Sequence, residues 1–122
     1  EHFVNLFETH PFIEIQREVG SSSWFGFSMV LSEKSPLSRK ELVSILQSAS
    51  IECRPIVTGN FVKNKSVLQY FDYEVSGSLY NAQYIDDNGL FVGNHQVDIR
   101  SQIDLLGSVL SPENLRGGCR QL

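Results

Sequence analysis

The eight residues Trp24-Phe25-Gly26-Phe27-Ser28-Met29-Val30-Leu31 constrain the chain more than any other stretch. Aromatic and branched side chains in such a run suit a pleated surface, and the run is too apolar to leave either side facing water. It predicts a strand covered on both faces, within a sheet that must be layered with other elements. Three further segments supply partners. Phe12 to Val19 reads as a strand with Ile13, Ile15 and Arg17 on one face. Ile51 to Val57 is a second apolar strand, and Pro55 within it predicts an edge position or an early end. Leu90 to Gly93 is a last short strand.

Helical spacing fills the intervals. Phe3, Val4, Leu6 and Phe7 predict a short helix ending near His10, before Pro11. Ser38-Arg39-Lys40-Glu41 matches a capping box, in which serine and glutamate satisfy each other's free backbone donors. Leu42, Ile45, Leu46 and Ala49 then follow at i, i+3, i+4 and i+7, the stripe of an amphipathic helix. Ser66 to Phe71 predicts a helical turn, and Asn81 to Gly89 a short helix stopped by a left-handed Asn88-Gly89. Asp98 is a suitable N-cap for a helix carrying Ile99, Ile103, Leu106 and Leu110 on one face. Gly20 to Ser23 and Thr58 to Asn60 read as loop and turn. Residues 111–122 hold Pro112, Gly117 and Gly118 and read as a loose tail after a domain spanning 1–110. The class expected is α+β, with a three- to four-stranded antiparallel or mixed sheet and helices packed on one face.

Charge and composition narrow the function classes. At 122 residues the chain suits one domain, and 41% hydrophobic with 20% charged residues is ordinary for a globular core. A net charge of −4 with no long basic run argues against a nucleic-acid partner. No stretch of about 18 apolar residues is present, so no membrane span is expected. Cys53 and Cys119 are too few and too far apart for a disulfide framework or a zinc site, which points to a reducing, cytoplasmic setting. The chain begins at Glu1 without a methionine and reads as a piece of something longer.

Three places carry polar chemistry, each with a structural reading beside the functional one. In Ile51-Glu52-Cys53-Arg54-Pro55 the strand alternation puts Glu52 and Arg54 on one side and Cys53 on the core side. Side by side, that pair can hold a polar ligand, or form a surface ion pair worth under ~1 kcal/mol. In Thr58-Gly59-Asn60-Phe61, glycine permits close backbone approach to a ligand and Asn60 offers donor and acceptor, or the segment is a plain turn. In Gly93-Asn94-His95, His95 sits where a strand meets a loop and can orient a substrate or bind phosphate, or simply shape the turn. No glycine-rich phosphate loop, HExxH, CxxC or GxSxG motif is present, so no catalytic residue and no metal ligand set is assigned.

Taken in order, Trp24-Phe25-Gly26-Phe27, the capped helix, Ile51 to Phe61, Tyr70-Phe71-Asp72-Tyr73-Glu74-Val75, Asn81-Ala82-Gln83-Tyr84-Ile85 and Gly89 to His95 resemble the DegT/DnrJ/StrS family. The branch resembled holds aminotransferases of lipopolysaccharide biosynthesis and 3-dehydratases of nucleotide-linked 4-keto-6-deoxy sugars. The likeness runs from about Glu1 to Leu110. It implies the C-terminal small domain of a fold-type-I enzyme whose pyridoxal or pyridoxamine phosphate is held by a large N-terminal domain. There a lysine forms the Schiff base in the aminotransferases, and a histidine replaces it in the 3-dehydratases. The resemblance further implies that this domain caps the active site, takes part in a homodimer and is inactive alone. It would place Arg54, Asn60, His95 and, less directly, Glu52 along the cleft that receives the nucleotide sugar, with no cofactor expected in this piece. Without the large domain, Trp24, Phe25, Phe61 and Phe91 are expected to form an exposed apolar patch. A free-standing α+β binding module is the alternative that the residues alone leave open; a small metal-dependent enzyme is a third.

Overall fold

A computed structural model describes residues 1–117. The element order is α1 (His2–Phe7), β1 (Ile13–Ile15), β2 (Gly26–Leu31), α2 (Arg39–Ser48), β3 (Cys53–Pro55), a 3-10 turn (Phe61–Lys63), α3 (Lys65–Leu68), α4 (Tyr80–Asn88), β4 (Gly89–Gly93), α5 (Arg100–Val109) and α6 (Pro112–Gly117). The four strands form one sheet in the order β1-β2-β4-β3, every pair antiparallel. The α+β class and the strand count are as expected.

The register sorts the sheet into two faces. Ile13 opposite Leu31, Ile15 opposite Met29, Met29 opposite Leu90 and Phe27 opposite Val92 point into the core. There they meet Phe3 and Phe7 of α1, Leu42 and Leu46 of α2, and Ile103 and Leu106 of α5. Burying each such side chain contributes roughly 1.5–3 kcal/mol. The other face carries Glu14, Ser28, Val30, Phe91 and Arg54. β2 alternates buried and half-buried residues, so the run is covered fully on one face and only partly on the other.

α2 starts where its capping box requires. The Ser38 N–H donates to the Glu41 carboxylate at 2.7 Å, and the Glu41 N–H donates to Ser38 Oγ. It stops on a residue the sequence did not advertise. Ser50 takes a left-handed φ of 58°, its N–H donates to Gln47 O, and the Ile51 N–H donates to Leu46 O. That is a Schellman stop with serine in the place glycine usually holds. Asp98 lies just outside α5, and its carboxylate accepts from the Arg100 N–H at 3.0 Å.

Four expectations are corrected. β1 ends at Ile15 rather than Val19, because Gln16 to Val19 lack an apolar face and Glu18 instead accepts from Ser22 N–H and Oγ–H. The stop after α4 is not left-handed. Gly89 is extended and opens β4, and glycine is needed there because a Cβ would lie 2.5 Å from Ile85 O and 2.7 Å from Ile56. Helices do not keep to one face, since Tyr84 and Ile85 of α4 lie over Val30, Ser28 and Glu14 on the outer side. Finally, residues 111–117 are no loose tail: they carry α6, whose Leu115 is 0% exposed within the core. Cys119 and the rest of 118–122 lie outside the described residues. No described helix is long and apolar enough to cross a membrane.

Candidate functional site

The outer face of the sheet is where polar and aromatic groups meet in the open. Arg54 stands across from Phe91, which stands across from Ser28. Gly26, beside them on β2, leaves room for the Phe91 ring, since a Cβ there would lie 2.8 Å from it. Phe25 then turns its ring toward Phe91, with centroids 6.1 Å apart, and remains 86% exposed. These residues, with Glu52, Gly93 and Asn94, line an open cleft of about 320 Å³. The Arg54 guanidinium donates to Glu52 Oε1 through Nη2 at 2.8 Å and Nε at 3.2 Å. Both side chains stay largely in water, so the pair adds little to stability and both groups remain able to meet a ligand. Cys53, between them in sequence, faces the core side and is half-buried. Burial, with the Glu52 charge behind it, pushes its thiol up, away from the reactive thiolate.

His95 belongs to a different place. It lines a groove of about 570 Å³ with His2, Phe3, Trp24, Asp98 and Arg100 among others. Its Nδ1 accepts from the Val97 N–H, while its own N–H donates to Asn94 Oδ1. The residue that joins groove and cleft is Asn94, which lines both and donates from Nδ2 to Trp24 O at 2.8 Å. The sequence pattern alone assigns Asn94 no role. The available signal was a double-ended amide next to a histidine at a strand end.

Asn60 is in neither. It is 9% exposed and leans on α4, where its Nδ2 donates to Gln83 Oε1 at 3.1 Å. Its Oδ1 is buried without a hydrogen-bond partner among the described residues. The turn around it is tied down from both sides. Gly59 has φ +50° and packs on the Asp86 carboxylate, where any Cβ would collide. Lys63 Nζ donates to Asp86 Oδ2 at 2.7 Å and reaches Asp87 at 3.5 Å. That hydrogen bond, with one from the Asn60 N–H, holds the Asp86 carboxyl below its usual range. Arg39 completes the junction by donating to Asp86 O and Gly89 O at the end of α4. The four residues expected along one cleft therefore fall in three places: Glu52 and Arg54 together, His95 across Asn94, and Asn60 against α4. Among the described residues no group of three acidic, histidine or cysteine side chains converges as a metal site would.

No protein-family profile matches the chain. Individual relatives do. It is 58% identical over 108 residues to a GDP-4-keto-6-deoxy-D-mannose 3-dehydratase of Yersinia pseudotuberculosis, covering 88% of this chain and 28% of that protein. A lipopolysaccharide biosynthesis protein of Salmonella typhimurium is 35% identical over 79 residues, 62% of this chain and 17% of that protein. The chain is homologous to part of a sugar 3-dehydratase. Among solved structures, the Escherichia coli GDP-4-keto-6-deoxy-D-mannose 3-dehydratase with bound hydrated PLP matches with a TM-score of 0.86 at 55% identity. So does a variant of such a dehydratase holding GDP-perosamine, again at 0.86 and 55%. Each match covers 90% of this chain and 28% of the neighbour, so the chain spans little more than a quarter of the proteins it resembles.

Proposed function

We propose that this chain is the C-terminal small domain of a pyridoxal- or pyridoxamine-phosphate-dependent enzyme acting on a nucleotide-linked 4-keto-6-deoxy sugar, in the supply of lipopolysaccharide sugars. The observation that carries the reading is the 58% identity over 108 residues to a 3-dehydratase of that description. It favours 3-dehydration over aminotransfer. In this reading the cofactor supplies an electron sink for bond breaking at the sugar, and the protein supplies orientation and electrostatics.

Two of the four lysines, Lys63 and Lys65, are engaged within this domain, which supports placing the cofactor outside this chain. Lys63 is engaged by Asp86 and Asp87, and Lys65 sits beside Tyr73, 5.9 Å from its ring. The remaining role is substrate handling. Arg54 and Glu52 present charge on an open sheet face, His95 lines the adjoining groove, and Asn60 sets the turn between β3 and α4. The domain would cap the active site in a cytoplasmic homodimer and have no activity alone.

The full-length polypeptide tests this. Purified protein should carry bound cofactor, seen by its absorbance, and consume a GDP-linked 4-keto-6-deoxy sugar. Arg54→Ala should raise KM or lower kcat by tenfold or more while leaving cofactor absorbance unchanged. A polypeptide with no cofactor and no such turnover would refute the reading and leave a free-standing binding module.

A further inference from the structure

We infer that Gln83 of α4 is a positioning residue: through Asn60 it holds the turn after β3 in the one place that walls the outer face of the sheet. The inference rests on the proposed function, in which substrate meets that face. Ile56, Val57 and Thr58 form the wall. With Gly26, Ser28 and Phe91 they line a pocket of about 350 Å³ that shares Phe25 and Phe91 with the Arg54 cleft. β3 ends at Pro55, so strand pairing does not reach the wall and its place must be set from elsewhere.

A polarised chain of amides sets it. Gln83 Nε2 donates to Asp87 Oδ2 at 2.6 Å, and Gln83 Oε1 accepts from Asn60 Nδ2 at 3.1 Å. An ionised carboxylate can only accept, so Asp87 decides which end of Gln83 faces it. Gln83 in turn decides which end of Asn60 faces α4. Asn60 Oδ1 is thereby turned away from the relay and is buried without a donor among the described residues. A buried acceptor left unpaired is costly, and an apolar side chain of similar size would avoid that cost. What the relay gives instead is direction: Asn60 fits one way round, and the turn with it. Asp87 is itself poorly placed for stability, a negative charge in the last turn of α4 where the helix dipole opposes it. Lys63, Asp86 and Arg39 are the other charges around the relay.

Gln83→Glu in the full-length protein is the test, because it keeps the shape and makes the relay depend on protonation. The new carboxyl can donate to Asp87 and accept from Asn60 only while protonated; once ionised it meets Asp87 as a like charge. Two carboxylates that close share a proton, so the new group titrates above the ordinary glutamate range. At about pH 8, KM for the GDP-linked 4-keto-6-deoxy sugar should rise about fivefold over the unaltered protein, with kcat and cofactor absorbance unchanged; at about pH 5 the difference should close. Gln83→Leu should show the rise at both pH values. Amide hydrogen exchange of residues 58–61 should speed in step with KM, each variant compared with the unaltered protein at the same pH. A KM in Gln83→Leu that matches the unaltered protein, or a rise in Gln83→Glu that ignores pH, would overturn the inference and leave the proposed function standing. A protein without cofactor or turnover sinks the proposed function. Exchange at 58–61 unchanged by Gln83→Leu would then sink the relay as well, whereas faster exchange keeps it as the brace of the turn.

Discussion

At Gly59 and His10 single residues are fixed by contacts that their neighbours in sequence do not announce. Gly59 combines a φ of +50° with contact against Asp86, 27 positions away by number. Gly59→Ala should cost about 1–3 kcal/mol, read by chemical denaturation, because strain and collision add. Asn60 was legible as a turn residue, but its burial was not, because Gln83 and Asp86 arrive from a helix later in the chain. His10 donates from Nε2 to Leu110 O at 2.9 Å and accepts the Phe12 N–H at Nδ1, an arrangement only the neutral ring can make. Burial lowers its pKa, outweighing the Leu110 carbonyl and Glu113, which act the other way. A lowered folded-state value means the stability it contributes is present above the ordinary value of 6.5 and is lost as pH falls through the folded one. The melting temperature should therefore drop between about pH 7 and pH 5. His10→Gln should flatten that slope.

Among the elements, those with local causes were readable and those with distant causes were not. The capping box of α2 is a local device, and Ser38→Ala should cost about 1 kcal/mol. The Schellman stop at Ser50 escaped notice because no glycine marks it; the Leu46 and Gln47 carbonyls and the pull of Ile51 toward the core enforce it. β1 is shorter than its extended pattern predicts, since that pattern counts only where a partner strand runs alongside. α6 is hidden in the sequence because the proline and glycines of 111–118 predict irregularity. Proline is at home in a first helical turn, and Leu115 supplies the anchor. Leu115→Ala should cost about 2–4 kcal/mol, as for other fully buried leucines, and removal of residues 111–122 should cost at least as much in a urea melt.

On the scale of the molecule, the class, the strand count and the buried set followed from period-two and helical patterning. The division of the outer face did not, because which helix crosses it depends on the chain path after β3. Of the residues expected to form an apolar patch, Phe25 and Phe61 are exposed, whereas Trp24 packs on Phe3 and Phe27 and Phe91 is half-covered. Val57, Tyr70, Phe71 and Tyr80 are exposed too, and association of the isolated chain through such side chains is the expected outcome at high concentration. Sedimentation should show concentration-dependent association that Phe25→Ser with Phe71→Ser reduces; a clean monomer at high concentration would count against it. Such stickiness has a natural limit in Pro55. It sits in β3 on the rim of the sheet and has no N–H to offer, so an incoming strand meets an interrupted row of donors on that side. Backbone pairing of a second copy along the β3 edge is thereby disfavoured, so association there would have to rest on side chains, a looser and more reversible kind of contact.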